Sequence, residues 1–251
     1  MNNNEFWTSI GKSACPDDIA RDLSIDAIKK NIPKKTKKLL DLGCGDGYCS
    51  LKLSSLNIEE IVGFDYSKKS IENANKNLKL ISNFLSSSTN YSFFEESALD
   101  LSKYREQFDA VITIRCLINV GNIDSQIRAL NEIYNTLSNN GTYLMCENFL
   151  SGLNLINEFR NSIGIPSIEQ RWHNNYLDDE IIMPEINNLF DLKAIDHFNS
   201  SYFFVSRVVN AWLAKEDNRE PDYNDPLNHM AARLPAFGNF SPMRLLVLQK
   251  K

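Results

Sequence analysis

Three glycines within one short string give the sequence its clearest chemical signal. The string Leu39-Leu40-Asp41-Leu42-Gly43-Cys44-Gly45-Asp46-Gly47-Tyr48 leads from an apolar run into a segment of helical pattern. Glycines at such a turn let a ligand approach the backbone, and the start of a helix presents free N–H donors. Asp65 follows the loop by about 20 residues, the spacing of an acid that accepts hydrogen bonds from a ribose. The spacing predicts a site for a nucleoside-containing cofactor.

The elements that must position this loop alternate regularly along the first 148 residues. Apolar runs of strand length are separated by segments of helix length, a pattern typical of parallel βαβ units in a doubly wound sheet. The predicted strands are Leu39–Leu42, Ile61–Phe64, Tyr91–Phe94, Phe108–Ile114, Tyr143–Cys146, Leu192–Phe198 and Leu245–Leu248. The predicted helices between them are Tyr48–Leu56, Lys68–Leu80 and Ile123–Leu137, with Phe203–Leu213 later in the chain. We therefore expect an α/β fold with a mostly parallel seven-stranded sheet.

The composition excludes several classes of protein. The chain has 251 residues, of which 43% are hydrophobic and 24% charged, as in a globular domain. A formal net charge of −5 gives no support for a nucleic-acid partner. No apolar stretch approaches the roughly 18 residues of a membrane-spanning helix, and Met1–Glu5 does not resemble a secretory signal, so we expect no membrane partner. Scattered cysteines without a CxxC pair favour a reducing, cytoplasmic setting; they are Cys15, Cys44, Cys49, Cys116 and Cys146.

The spacing Gly43-x-Gly45-x-Gly47, preceded by Asp41, resembles the first motif of class I S-adenosylmethionine-dependent methyltransferases. The resemblance implies a Rossmann-like fold, the cofactor S-adenosylmethionine and the product S-adenosylhomocysteine. A dinucleotide site has a third glycine where this chain has Tyr48, which disfavours an NAD-dependent oxidoreductase. A catalytically silent methyltransferase fold that serves as a binding subunit is the other alternative.

The same resemblance assigns cofactor residues. Asp65 would hold the ribose and Tyr66 would flank the adenine. The segment Glu96–Leu101 is similar to the motif at the adenine edge, with Ser97 in place of its usual acid and Ala98 offering a backbone amide. Arg115, after the fourth strand, would bind the methionine carboxylate or an anionic acceptor. The full predicted set is Asp41, Gly43, Cys44, Gly45, Asp65, Tyr66, Ser97, Ala98 and Arg115.

The pattern of the whole chain predicts two parts, and the motif-level resemblance covers about residues 37–148. Residues 1–36 form an N-terminal helical segment, with an amphipathic stretch over Ile19–Ile32, and residues 37–251 form the methyltransferase domain. Its cofactor half spans 37–148. Residues 149–251 carry helical and loop insertions after strands five and six, on the acceptor side, together with the closing strands. Pro166 and Pro184 are predicted to interrupt the first insertion.

A small polar molecule is the expected acceptor. The Asn/Asp-Pro-Pro-Tyr string of DNA amine methylases is replaced by Ile114–Leu117, and Cys116 is interpreted as a packing residue rather than a nucleophile. The predicted catalytic residues are His173, Arg115 and His229, the histidines as general bases. His197 falls inside a predicted strand. Glu147 is one acid without partners, so we expect no metal, and Trp7 is expected to pack.

Two further strings, Ile114–Asn119 and Trp172–Leu177, resemble those of methyltransferases associated with bacterial surface-polysaccharide biosynthesis. This implies O-methylation of a sugar, or of a nucleotide-linked, phosphate-bearing or phosphoramidate-bearing precursor. An anionic phosphoryl oxygen would favour contacts from Arg115, Arg171 or Arg233, whereas an alcohol would need His173 as its base. N-methylation of a small metabolite is the alternative. The acceptor and the oligomeric state stay open at this stage.

Overall fold

The computed structural model describes residues 17–85 and 88–251 of the chain. Trp7 and Cys15 lie outside these residues. The first described helix, α1 (Asp18–Asn31), begins where the Asp17 carboxylate accepts a hydrogen bond from the Ala20 amide at 2.9 Å. No helix in the described ranges is long and apolar enough to cross a membrane.

Seven strands form one sheet in the order β3-β2-β1-β4-β5-β7-β6. Only the β7 pairings with β5 and β6 are antiparallel, and β1 to β5 pair in parallel. The strands are β1 (Lys38–Leu42), β2 (Glu60–Asp65), β3 (Asn90–Glu95), β4 (Phe108–Ile114), β5 (Leu137–Asn148), β6 (Phe190–Asp196) and β7 (Met243–Lys250). The predicted α/β fold with a mostly parallel seven-stranded sheet is confirmed.

The helices lie in the connections between the strands. They are α2 (Tyr48–Lys52), α3 (Lys68–Ile81), α4 (Ile123–Thr136), α5 (Leu150–Ser162), α6 (Asp179–Leu189), α7 (Ser200–Phe204), α8 (Asn210–Glu216) and α9 (Pro226–Ala231). A π turn over Val205–Val209 joins α7 to α8, and a single 3-10 turn over Leu117–Asn119 follows β4. The insertions after β5 and β6 are therefore mainly helical.

The core lies on both faces of the sheet. Leu40 and Val111 face one layer, which Ile133 of α4 completes, and Leu39 faces the other, which Ile28 of α1 completes. Neighbouring residues of one strand thus enter opposite layers, as the pleat requires. Strands buried on both faces appear in the sequence as continuous apolar runs. This is why their positions could be predicted well.

Two expectations about the second half of the chain were wrong. Pro184 lies inside α6 and does not interrupt it, because Ile182 and Ile186 on either side are fully buried in the core. His197 lies just after β6 rather than within it. The last pair of that strand joins Asp196 to Leu245, and the carbonyl of His197 then accepts the Ser200 amide that starts α7.

Candidate active site

A cavity of about 480 Å³ opens at the carboxyl ends of β1, β2 and β4. The chain order reverses between β1 and β4, so this is the switch point where open α/β sheets bind their ligands. Its walls include the ends of all three strands, at Leu42, Asp65 and Ile114. All nine residues predicted to bind the cofactor line it: Asp41, Gly43, Cys44, Gly45, Asp65, Tyr66, Ser97, Ala98 and Arg115.

The glycine loop forms one side of the cavity in a conformation that requires glycine. Gly43, Gly45 and Gly47 have φ angles of 77°, 55° and 78°. A Cβ on Gly43 would lie 2.7 Å from the sulfur of Cys116, whereas a Cβ on Gly45 would meet no atom within 4 Å. The loop therefore packs tightly at Gly43 and leaves open space beside Gly45, where a ligand can approach the backbone.

Asp65, the last residue of β2, holds the loop and keeps acceptor capacity. Its Oδ2 accepts the Gly45 amide at 3.0 Å and its Oδ1 accepts the Ser67 amide at 2.9 Å. Burial raises the pKa of Asp65, and these two hydrogen bonds oppose the rise. Each carboxylate oxygen has a second lone pair. The carboxylate can therefore accept from two ribose hydroxyls while it keeps both loop contacts, which fits an adenosyl group.

Asp41 ties the loop to α2 from below. Its side chain is 2% exposed, and its Oδ2 accepts the Ser50 hydroxyl at 2.6 Å. Burial raises the pKa of Asp41 to about 6.

Ser97 also lines the cavity. Its hydroxyl accepts the Leu99 amide at 3.2 Å and retains its own proton as a donor.

Arg21 and Ile25 of α1 also line the cavity, and the sequence analysis missed both. The guanidinium of Arg21 lies 4.0 Å from the ring centre of Tyr48, and the Tyr48 hydroxyl donates to Asp22 at 2.9 Å. These contacts bring α1 to the glycine loop. The sequence shows that α1 has an apolar side, but not which edge of the sheet that side meets.

Arg115 stands at the end of β4 in a left-handed conformation, with φ 54°. Its amide donates to the Cys146 carbonyl at 2.9 Å, and its carbonyl accepts from Asn119 Nδ2 at 2.7 Å. Non-glycine residues adopt this conformation at a cost, and they cluster at functional sites. Arg115 lines the cavity, as predicted.

A turn of the first insertion brings Arg171, His173 and Asn174 to the same cavity. His173 is 5% exposed, and burial, followed by the charge of Arg171, lowers its pKa below 6.5. The imidazole is therefore mainly neutral at pH 7 and able to accept a proton. We call residues 171–176 the acceptor turn.

The acceptor turn is fastened to the loop after β4 through Asn175. The Asn175 amide donates to the Ile118 carbonyl at 2.7 Å, and its side chain donates to the Gly121 carbonyl at 2.9 Å. Gln126 of α4 donates to the Asn175 carbonyl at 2.7 Å. The insertion is thus anchored beside Arg115.

Other candidates from the sequence lie away from this cavity. His229 is exposed on α9 and Arg233 is exposed in the loop that follows, and neither contributes to the cavity wall. His197, after β6, is not part of that wall either. Within the described ranges, no three acidic, histidine or cysteine residues form a metal-binding group.

Cys116 packs rather than reacts. Burial, and then the charge of Glu147, raise the pKa of its thiol well above the ordinary value. A thiol that stays protonated is a poor nucleophile. Its sulfur instead fills the space beneath Gly43.

The glycine loop, the acid ending β2 and the sheet order define a class I methyltransferase fold. A family model described as "Methyltransferase domain" matches residues 33–163, just over half of the chain. The chain therefore belongs to the methyltransferase-domain family. The resemblance to class I S-adenosylmethionine-dependent methyltransferases is confirmed, and S-adenosylmethionine is the cofactor of this class.

Relatives and solved structures agree at the level of the fold. The tRNA U34 carboxymethyltransferase of Campylobacter hominis is 25% identical over 130 residues, which are 52% of this chain and 42% of that protein. The chain thus spans less than half the length of this relative. The PH0226 protein of Pyrococcus horikoshii OT3 has a TM-score of 0.62 and 18% identity, covering 95% and 93% of the two chains. The N-methyltransferase NodS of Bradyrhizobium japonicum WM9, in complex with S-adenosylhomocysteine, has a TM-score of 0.59 and 10% identity, covering 100% and 99%.

Proposed function

We propose that this protein transfers a methyl group from S-adenosylmethionine to an oxygen of a small, anionic polar acceptor. A sugar, nucleotide-linked or phosphate-bearing precursor of a surface polysaccharide has this chemistry. One observation carries the proposal: a single cavity joins the cofactor acid Asp65 to Arg115, Arg171 and His173. Cofactor and acceptor can therefore meet in one cavity, which positions them for an in-line displacement.

The cofactor would lie along the carboxyl edge of the sheet. Asp65 would accept the ribose hydroxyls, Tyr66 would flank the adenine, and Ser97 and Ala98 would bind its edge. When bound, S-adenosylmethionine supplies an electrophilic sulfonium methyl group. The open space beside Gly45 supports placing the methionine portion against the glycine loop.

Arg21 would hold the methionine carboxylate. It stacks on Tyr48, which directly follows the glycine loop, so its charge lies at that end of the cavity. An arginine fork is suited to a carboxylate because it donates two parallel hydrogen bonds. Arg115 would then be available to the acceptor.

Arg115 and Arg171 would bind the anionic group of the acceptor. Both arginines line the cavity, Arg115 at the end of β4 and Arg171 in the acceptor turn.

His173 would act as a general base if the acceptor is an alcohol. Its lowered pKa favours the neutral form that can take the proton. A phosphoryl oxygen is already anionic and needs no base. His173→Ala should therefore abolish transfer to an alcohol and leave transfer to a phosphoryl oxygen nearly unchanged.

Thermal shift with S-adenosylmethionine, S-adenosylhomocysteine, NAD and NADP at matched concentrations tests the cofactor assignment. At a hundred times its dissociation constant, a ligand stabilises the fold by about 2.7 kcal/mol, which raises Tm by several degrees. Only the two adenosyl compounds should do so, and Asp65→Ala should remove most of the shift. Asp191→Asn, on the exposed edge strand β6, is the matched control.

The other outcomes of this test favour different functions. A shift with NAD alone would contradict the assignment in favour of an oxidoreductase. No shift with any of the four would favour a binding protein without catalytic activity. If only the adenosyl compounds stabilise the protein, a screen of radiolabelled methyl transfer to phosphorylated sugars, sugar alcohols and amines would separate O-methylation from N-methylation.

The cellular setting is a separate proposal. Cys44, Cys49, Cys116 and Cys146, the cysteines of the described ranges, are free thiols. Free thiols of this kind suit a reducing compartment, which supports a cytoplasmic location.

A further inference from the structure

We propose that Glu147 is a positioning residue that holds Arg115 in the conformation directed at the acceptor. The inference rests on the proposed function, because that function assigns Arg115 to the acceptor. Glu147 lies near the end of β5, and its side chain is fully buried.

The carboxylate of Glu147 accepts two consecutive backbone amides from the loop after β4. Its Oε1 lies 2.9 Å from the Cys116 nitrogen and 3.1 Å from the Leu117 nitrogen. These amides stand at the start of the 3-10 turn Leu117–Asn119, where backbone donors lack partners within the turn. Hydrogen bonds from an amide to a carboxylate are stronger than those between neutral groups.

The two amides directly follow Arg115, whose left-handed backbone needs support from its surroundings. Three contacts supply that support: the Cys146 carbonyl on its amide, Asn119 on its carbonyl, and Glu147 on the next two amides. Of these three supporting groups, Glu147 is the one with an acidic side chain. A buried carboxylate is costly unless it is hydrogen-bonded, and the two amides supply hydrogen bonds to one of its oxygens.

The surroundings of Glu147 permit a conservative test. The hydroxyls of Thr113 and Tyr143 lie 2.9 Å apart on the adjacent strands β4 and β5. The Thr113 hydroxyl lowers the pKa of Glu147, and the charge of Glu147 raises the pKa of Tyr143, so both hydroxyls lie near the carboxylate. A glutamine can accept the same two amides with its carbonyl oxygen, and these hydroxyls offer acceptors for its NH₂ group. A leucine has a similar size but accepts nothing.

The experiment compares amide hydrogen exchange in ligand-free wild type, Glu147→Gln and Glu147→Leu. In Glu147→Leu, exchange in the peptide covering 115–121 should rise about tenfold to a hundredfold, and Glu147→Gln should stay near wild type. The matched control is Glu132→Leu, because Glu132 also accepts one backbone amide, that of Leu101 at 2.7 Å. That control should affect exchange only near Leu101. Unchanged exchange at 115–121 in Glu147→Leu would overturn the proposal.

The link to Arg115 is tested with inorganic phosphate, added to protein saturated with S-adenosylhomocysteine, by calorimetry. Arg115→Ala and Glu147→Leu should each weaken phosphate binding, and the double variant should lose no more than either alone. An additive loss would assign Glu147 a general structural role and overturn the inference. If Glu147→Leu does not fold, it is combined with Arg115→Gly, since glycine adopts the left-handed conformation freely. Failure of that pair to fold would also overturn the link.

These measurements separate the two proposals. Wild type that does not bind S-adenosylhomocysteine would refute the proposed function, while the exchange data would still report on Glu147. Normal cofactor binding, with phosphate affinity lost in Arg115→Ala but kept in Glu147→Leu, would refute only the positioning role.

Discussion

Tyr48 stands where a dinucleotide loop has its third glycine, and in this fold its side chain has a structural task. Its ring stacks against the Arg21 guanidinium and its hydroxyl donates a hydrogen bond to Asp22, so Tyr48 connects α1 to the start of α2. A glycine would offer neither contact. The substitution that separates this loop from a dinucleotide motif therefore also brings an arginine to the cavity.

Asp41 gives a pH dependence that can be isolated. Burial raises its folded pKa to about 6, whereas an unfolded aspartate titrates near 3.9. The folded state holds the proton more tightly, so this contribution to stability is present below about pH 4 and is lost as pH rises through about 6. Asp41→Asn cannot ionise and should lack it.

We therefore expect the unfolding free energy of wild type to fall by up to about 3 kcal/mol relative to Asp41→Asn between about pH 4 and pH 7. Urea unfolding at half-unit pH steps would measure the difference. The contribution of Glu147, whose pKa is also raised, cancels because both proteins contain it. Asp191→Asn, at an exposed site, should run parallel to wild type. Parallel curves for Asp41→Asn would contradict the prediction.

At the scale of elements, the sequence located strands far better than it located the insertions. β1, β2 and β4 were predicted to within one residue at each end, because burial on both faces makes their apolar runs continuous. β5 was predicted to begin six residues later than it does. Its first part starts at the buried Leu137 but continues through the exposed Asn139 and Asn140, so it has no continuous apolar run.

The junction between α4 and the acceptor turn depends on Gln126. This side chain is 1% exposed and donates to the Asn175 carbonyl at 2.7 Å. Gln126→Leu should leave that carbonyl without its donor and lower the unfolding free energy by about 1 to 3 kcal/mol. Hydrogen exchange over the acceptor turn should rise with it, while affinity for S-adenosylhomocysteine should stay close to that of wild type.

Gln107→Leu is the matched control, because the side chain of Gln107 is exposed and donates to the Lys103 carbonyl, four residues away. It should change stability by no more than about 0.5 kcal/mol. Equal effects of the two substitutions would show that Gln126 does not anchor the turn.

At the scale of the whole molecule, the sequence predicted one half of the candidate site, the proposed cofactor half, much better than the proposed acceptor half. The nine residues predicted to bind the cofactor follow strands that the sequence shows clearly, so the sheet brings all nine to one edge. The part of the wall proposed to bind the acceptor is made by segments without a periodic pattern. There Arg171 and His173 reach the cavity and His229 does not, which depends on long-range packing rather than on local sequence.

The charge distribution of the molecule argues against tRNA as the acceptor, despite the likeness to a tRNA-modifying enzyme over 130 residues. The net charge is −5, and residues 34–38 form a basic run of four lysines at the start of β1. Two of these lysines are paired with acids: Lys37 lies 3.0 Å from Glu59 and Lys38 lies 3.1 Å from Glu60. This run also lies at the amino end of β1, whereas the cavity opens at the carboxyl ends.

We expect tRNA to bind more weakly than about 10⁻⁴ M at physiological salt, the weak limit of non-specific binding. Fluorescence anisotropy of labelled tRNA would measure it. The double variant Glu59→Lys/Glu60→Lys frees the basic run and reverses two charges, so it should gain binding that falls steeply with added salt. Micromolar, salt-resistant binding by wild type would contradict this prediction and make a nucleic acid the better acceptor. Weak binding by wild type, with a salt-sensitive gain in the variant, would show that the paired acids keep this surface from holding RNA.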